Sequence, residues 1–123
     1  GYNLTIEDNC TIHKYVMLDD RGEIILRNGT SVSDYASVYS HAHHAKNSQD
    51  IDNRRVEIGP RARLTYHASV MAGVNVGEDA ILGAMAVATR NVEAGSISGG
   101  VPAKEIKKKS EVAGDGWERG ERK

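Results

Sequence analysis

Phenylalanine is absent from these 123 residues, and tryptophan and cysteine occur once each. The missing phenylalanine agrees with a narrow interior. So does the placing of Tyr2, Tyr15, Tyr35, Tyr39 and Tyr66, none of which falls on an apolar position of the repeat described below. A lone cysteine, Cys10, excludes an internal disulfide and is compatible with a reducing compartment. Neither sign of charge is in excess: 16 Lys and Arg face 17 Asp and Glu, for a net charge of −1. That balance gives no electrostatic footprint for nucleic acid or for an acidic membrane surface. No apolar run approaches a transmembrane span, and the first residues lack the apolar core of a signal peptide. No membrane insertion and a cytoplasmic location are therefore expected. With 39% hydrophobic residues the chain reads as one globular domain rather than as a disordered one.

What is present is a period of six. In the second half an aliphatic or small apolar residue recurs at Ile58, Leu64, Val70, Val76, Leu82 and Ala88. Four residues after each comes a small partner: Ala62, Ala68, Val74, Ala80, Ala86 and Val92. Gly59, Gly77 and Gly83 directly follow three of the aliphatic positions. The first half reads Ile6, Ile12 and Leu18, slips by two residues to Leu26, and continues through Val32 and Val38. Its small partners are Cys10, Val16, Gly22, Thr30, Ala36 and Ala42. Six fits neither a helix at 3.6 nor a simple strand at 2. It is the period of a solenoid in which three short strands close a triangular coil and coils stack, so that like positions form ladders inside a prism. Cys10, in a small-residue slot, is expected to be a packed core thiol.

Three segments break the repeat, and breaks are where solenoids carry function. Asp19–Ile25 reads as a corner bulge. His41 to about Arg55, HAHHAKNSQDIDNRR, is polar and His-rich and is expected to project, with the loop itself at about 44–55. The exit, AGSISGGVPAKEIKKKS, stops the coil at Gly99, Gly100 and Pro102. The repeat domain is accordingly placed at 1–110, with a charged tail at 111–123 around Trp117 that is either a short docked helix or unstructured.

The stretch VEIGPRARLTYHASVMAGVNVGEDAILGAMAVATRNVEAGSISGGVPAKEIKKK resembles the C-terminal half of hexapeptide-repeat acyltransferases. The maltose, galactoside and polysaccharide O-acetyltransferases are closest in pattern. The coil ILGAMAVATRNV followed by GGVPAKEIK resembles their exit signature. The resemblance covers most of residues 26–109 and, more weakly, 4–25. It implies an all-β, left-handed parallel β-helix, a homotrimer, and acetyl-CoA as acyl donor in the groove between subunits, with a saccharide-type acceptor. The left hand comes from the resemblance alone, since parallel crossovers are otherwise right-handed.

Acetyl transfer from a thioester to a hydroxyl or amine needs no protein nucleophile, because the thioester is already activated. It needs a base of near-neutral pKa for the acceptor's proton, the two substrates held together, and a donor for the developing oxyanion. In the resembling enzymes the catalytic histidine ends a segment that here reads Val38-Tyr39-Ser40-His41-Ala42-His43. His43 is therefore the candidate base, with His41 and His44 as rivals. No spacing singles out a carboxylate partner among Asp34, Asp50 and Asp52. For the donor, Ala84 matches a small residue against the pantetheine arm. Thr89 and Arg90 match a Thr-Lys pair with Arg in place of Lys, and Lys104 and Lys107 match basic residues facing the nucleotide phosphates. Lys108 and Lys109 read as a solvated basic run.

The sequence departs from the pattern at further places. Glu57 stands where the resembling enzymes carry a tryptophan beside the CoA groove, and the loop after His43 is shorter than their arm. Two other classes share the repeat. One is a catalytically silent assembly module, which need not keep the loop histidine and the exit motif found here. The other is a γ-class carbonic anhydrase, whose metal-binding histidines would fall in IGPRARLTYH, where His67 is out of register. No metal is expected.

Overall fold

The computed structural model describes residues 3–43 and 51–112. His44, Asp50 and the segment 113–123 with Trp117 lie outside the described residues.

Each hexapeptide supplies a strand of two or three residues and a corner. The first coil is β1 (Leu4–Ile6), β2 (Thr11–Ile12) and β3 (Met17–Asp19), and the second is β4 (Ile24–Leu26), β5 (Ser31–Val32) and β6 (Ser37–Tyr39). An antiparallel pair, β7 (His41–His43) and β8 (Ile51–Asn53), interrupts the winding. The third coil is β9 (Val56–Ile58), β10 (Arg63–Leu64) and β11 (Ser69–Val70). The fourth is β12 (Asn75–Val76), β13 (Ile81–Leu82) and β14 (Val87–Ala88). A single bridge at Val92 leads to β15 (Ser96–Gly99), and β16 (Lys104–Lys108) folds back on it. The strands form three faces, β1-β4-β9-β12, β2-β5-β10-β13-β15-β16 and β3-β6-β11-β14. All pairing in them is parallel except β15 with β16. The architecture is a parallel β-helix.

The ladders are those of the period. Leu26, Val32, Val38, Ile58, Leu64, Val70 and Leu82 have no exposed surface, and their small partners Ala36, Ala62, Ala68, Ala80 and Ala86 are equally closed off. Each large aliphatic side chain so buried stabilises the prism by about 1.5–3 kcal/mol relative to exposure. Two further core residues, Ile24 and Val56, stand in register two places before Leu26 and Ile58, on strands of three residues.

The first coil differs. Ile6 and Ile12 are 46% and 39% exposed, because among the described residues no coil lies against their outer side. For the same reason Cys10 is only half-buried; its thiol donates to the Arg27 carbonyl at 3.1 Å. Ala42, given a small-residue slot by the period, stands exposed on β7 instead. Tyr15, Tyr35 and Tyr66 face outward as expected.

Corners require the left-handed backbone region, and seven non-glycine residues among those described adopt it. They stack in columns. Asn9, Gly29, Arg61, Asp79 and Gly95 mark one corner, Tyr15, Tyr35, His67 and Met85 another, and Gly73 lies on the third. A left-handed residue costs about 1–2 kcal/mol for an L side chain. Here the N–H of such a residue bonds a carbonyl of the preceding coil, as Tyr35 to Lys14, His67 to Asp34 and Met85 to Tyr66. The aromatic members also stack, Tyr15 on Tyr35 at 5.0 Å and Tyr35 on His67 at 4.8 Å between ring centroids.

Candidate functional site

The arm begins where the third face ends. Ser40 continues the β3–β6 ladder by one residue, donating from its N–H to the Asp19 carbonyl at 3.1 Å. The chain then leaves the prism. His41 stands opposite Asn53, Ala42 opposite Asp52 and His43 opposite Ile51. Among the carboxylates considered from sequence, Asp34 is not at the arm. It sits at the tyrosine corner, 4.0 Å from His13 Nδ1. A carboxylate at the base of the arm is that of Asp19, which the period had hidden in the bulge. Arg21 donates from Nε to Asp19 Oδ1 at 2.9 Å and pairs through its Nη2 as well. This hydrogen-bonded pairing is the main cause that holds the Asp19 carboxyl below the usual range, with a smaller contribution from His41.

The residues matched to the donor lie further along the prism. Ala84 is exposed at the corner between β13 and β14, directly above Tyr66. Thr89 and Arg90 are exposed at the corner that follows β14. The exit turn folds over this strand, with Val87 N–H bonding the Gly100 carbonyl at 3.0 Å and Ala103 N–H bonding the Val87 carbonyl at 2.8 Å. Lys104 and Lys107 are exposed on β16, opposite Gly99 and Ile97.

Ala84 and the pair Thr89–Arg90 thus bracket one strand. Thr89–Arg90 also shares an edge of the prism with the base of the arm. Between them lies Gly73, on which the Arg54 side chain rests. β6 and β14 are separated on their face by β11 alone, so the two points are about 10 Å apart along the axis at about 4.8 Å per strand. The two lysines stand apart from both, on the second face. Lys108 is engaged by Glu93 at 3.2 Å and Glu105 at 3.1 Å, which raise its pKa. An open cleft of about 510 Å³ beside Lys108 is lined by Asp79, Ala94 and Gly95 as well. It belongs to a different corner from the arm. Glu57 is no platform for a ring: Arg27 binds its carboxylate at 2.8 Å and Arg55 at 3.2 Å. Among the described residues no group of three or more His, Cys, Asp or Glu is placed to hold a metal ion.

No protein-family profile matches the sequence. In structure, 88% of the chain superposes on 61% of a hexapeptide-repeat-containing acetyltransferase from Vibrio cholerae complexed with acetyl coenzyme A. The TM-score is 0.83 at 19% identity. The fold is the left-handed β-helix of the hexapeptide-repeat acetyltransferases. The expected hand and all-β class are thereby established. A maltose O-acetyltransferase from Clostridium difficile 630 shares the same hexapeptide-repeat fold, with a TM-score of 0.79 at 21% identity over 87% of this chain and 59% of that one. In sequence, the chain is 48% identical over 46 residues to a Staphylococcus aureus 2,3,4,5-tetrahydropyridine-2,6-dicarboxylate N-acetyltransferase, which is 37% of this chain and 19% of that enzyme. The chain therefore spans about a fifth of the curated relative's length and about three-fifths of the solved hexapeptide-repeat structures.

Proposed function

We propose that this chain is a coenzyme A-dependent acyltransferase that passes an acetyl group from acetyl-CoA to a hydroxyl or amino group of a saccharide-type acceptor. The observation that carries the reading is the superposition on an acetyltransferase complexed with acetyl-CoA. It is supported by an interruption of the coil at the histidine segment itself, which puts His43 on a strand outside the prism.

In this reading His43 takes the proton of the acceptor as its oxygen or nitrogen attacks the thioester carbonyl. The tetrahedral intermediate collapses with cleavage of the carbon–sulfur bond, and the proton passes to the sulfur to give free CoA. Ala84, Thr89 and Arg90 hold the pantetheine arm, and Lys104 and Lys107 meet the phosphates as mobile point charges. In one chain the arm and the lysines lie on different parts of the prism. We therefore assign the working site to the groove between two chains of a homotrimer, the arm of one facing the donor residues of the next. The domain is taken as 1–110, in the cytoplasm.

Calorimetric titration with acetyl-CoA, and with free CoA as control, tests this directly. About one site per chain is expected. His43→Ala should keep that binding and lose transfer by about 10²–10⁴-fold. A folded protein that binds neither compound overturns the reading. Full activity in His43→Ala with none in His41→Ala moves the base to His41.

A further inference from the structure

Two irregularities of the repeat, the bulge after β3 and the departure of β7, are 18 residues apart in sequence and meet at one side chain. Ser40, the last residue before β7, is fully buried. Its hydroxyl donates to the Asp19 carbonyl at 2.5 Å and accepts from the Gly22 N–H at 2.9 Å. Its own carbonyl accepts from the Arg54 N–H at 2.9 Å, just past the returning strand. Ser40 therefore joins the outgoing chain, the returning chain and the bulge.

We propose that Ser40 is a positioning residue for the proposed acyl transfer. Its hydroxyl clasps the Asp19–Gly22 bulge, fixes the direction in which β7 leaves the prism, and so sets where the imidazole on that strand stands. The proposal rests on the acyltransferase reading above. A plain ladder would tie this point of the chain by the Ser40 N–H alone. The two-residue slip supplies a second N–H and brings the bulge under the stem. Gly22 is fitted to that role. A Cβ there would lie 2.5 Å from the Ser40 carbonyl oxygen and 3.2 Å from the Arg54 nitrogen, both backbone atoms of the stem. A side chain at residue 22 would push both strands of the arm outward. The bulge also carries Asp19, whose carboxylate Arg21 holds. The irregularity thus sets both the angle of the arm and the charge at its root. A displacement of about 1 Å in a catalytic group is enough to cost about 10²-fold in rate.

The test uses the whole protein and the sugar that gives the fastest CoA release with the wild type. Ser40→Ala is expected to lower kcat by about 10–100-fold, with the KM for acetyl-CoA and calorimetric CoA affinity within about twofold of wild type. Hydrogen exchange should quicken at the amides of 41–43 and 51–53 and stay unchanged at those of β10 and β13. Ser40→Thr, which keeps the hydroxyl, should restore kcat, and Gly22→Ala should reproduce the Ser40→Ala phenotype from the other side of the clasp. Unchanged kcat in Ser40→Ala overturns the proposal while leaving acyl transfer intact. So does a kcat loss matched by equal loss of CoA affinity and faster exchange throughout the prism. If the wild type binds no CoA, the acyltransferase reading fails first and the role of Ser40 in transfer falls with it.

Discussion

Arg27 donates from Nε to Glu57 Oε2 at 2.8 Å, from one coil to the next. The same guanidinium reaches back to Glu7 Oε2 at 2.9 Å, so one side chain ties three successive coils. Its hydrogen bond is the main cause that lowers the Glu57 pKa from 4.5. A carboxyl with a depressed folded pKa stabilises fully above its unfolded value, and that contribution is lost as pH falls through the folded one. The melting-temperature difference between wild type and Glu57→Gln should therefore be largest near pH 7 and shrink towards pH 3. At pH 7 it should also fall with added salt, since the pair is about one-third exposed. A difference that is flat in pH would assign the effect to packing.

Gly77 faces the next turn of chain without room for a side chain. A Cβ there would stand 2.5 Å from the Ala94 nitrogen and 2.7 Å from its Cα, both backbone. Gly77→Ala should destabilise by about 1–3 kcal/mol in urea titrations, the range of forced overpacking. Gly95→Ala meets nothing within 4 Å, but φ there is +71°. It should cost only the left-handed penalty of about 1–2 kcal/mol. The two variants separate crowding from conformation at neighbouring corners.

Leu82 and Ile12 occupy the same repeat position, the first fully enclosed and the second 39% exposed. Leu82→Ala should cost about 2–5 kcal/mol, the usual range for emptying an enclosed site. Ile12→Ala should cost distinctly less, because solvent already reaches it. Equal losses measured by denaturation would mean that the first coil is covered in solution, for instance by another subunit.

Under the proposed acyltransferase reading, removing one charged residue assigned to the donor should weaken CoA binding in proportion. Arg90→Ala and Lys104→Ala are each expected to lower calorimetric affinity by about 5–10-fold, or about 1–1.4 kcal/mol. Lys108→Ala should leave it within about twofold, since Glu93 and Glu105 already occupy that ammonium group. Equal effects from all three would make the contribution a diffuse field rather than a site.

The interior was legible because a period of six with a small residue at the fourth step leaves few ways to be buried. Leu64 and Ala68 stand where that pattern puts them. Ile24 and Val56 escaped it because their strands follow irregular stretches and run three residues, which adds an inward position that the hexapeptide does not contain. Ile6 and Ile12 match the pattern yet lie open, because burial here depends on a coil on each side. The repeat cannot express that condition. At the candidate site, His43 could be named from the motif around it and its rivals could not be dismissed. Asp19 was invisible as a neighbour of the arm, and so was the bond of Ser40 to the bulge, because both depend on how a two-residue slip folds against the next coil.

β16 runs against the other strands of its face, and the turn before it folds over β14. A stack of parallel coils has a direction of travel, and an antiparallel strand at one edge presents its hydrogen-bonding groups in the wrong order for another coil. The described prism is therefore stopped at its β16 side. Lengthening by duplicated hexapeptides is expected to be tolerated next to β1–β3. An extra repeat inserted after Ser96 would first have to displace the stop that carries Lys104 and Lys107. Changes in the length of this solenoid and changes at its exit turn are thus separable by design.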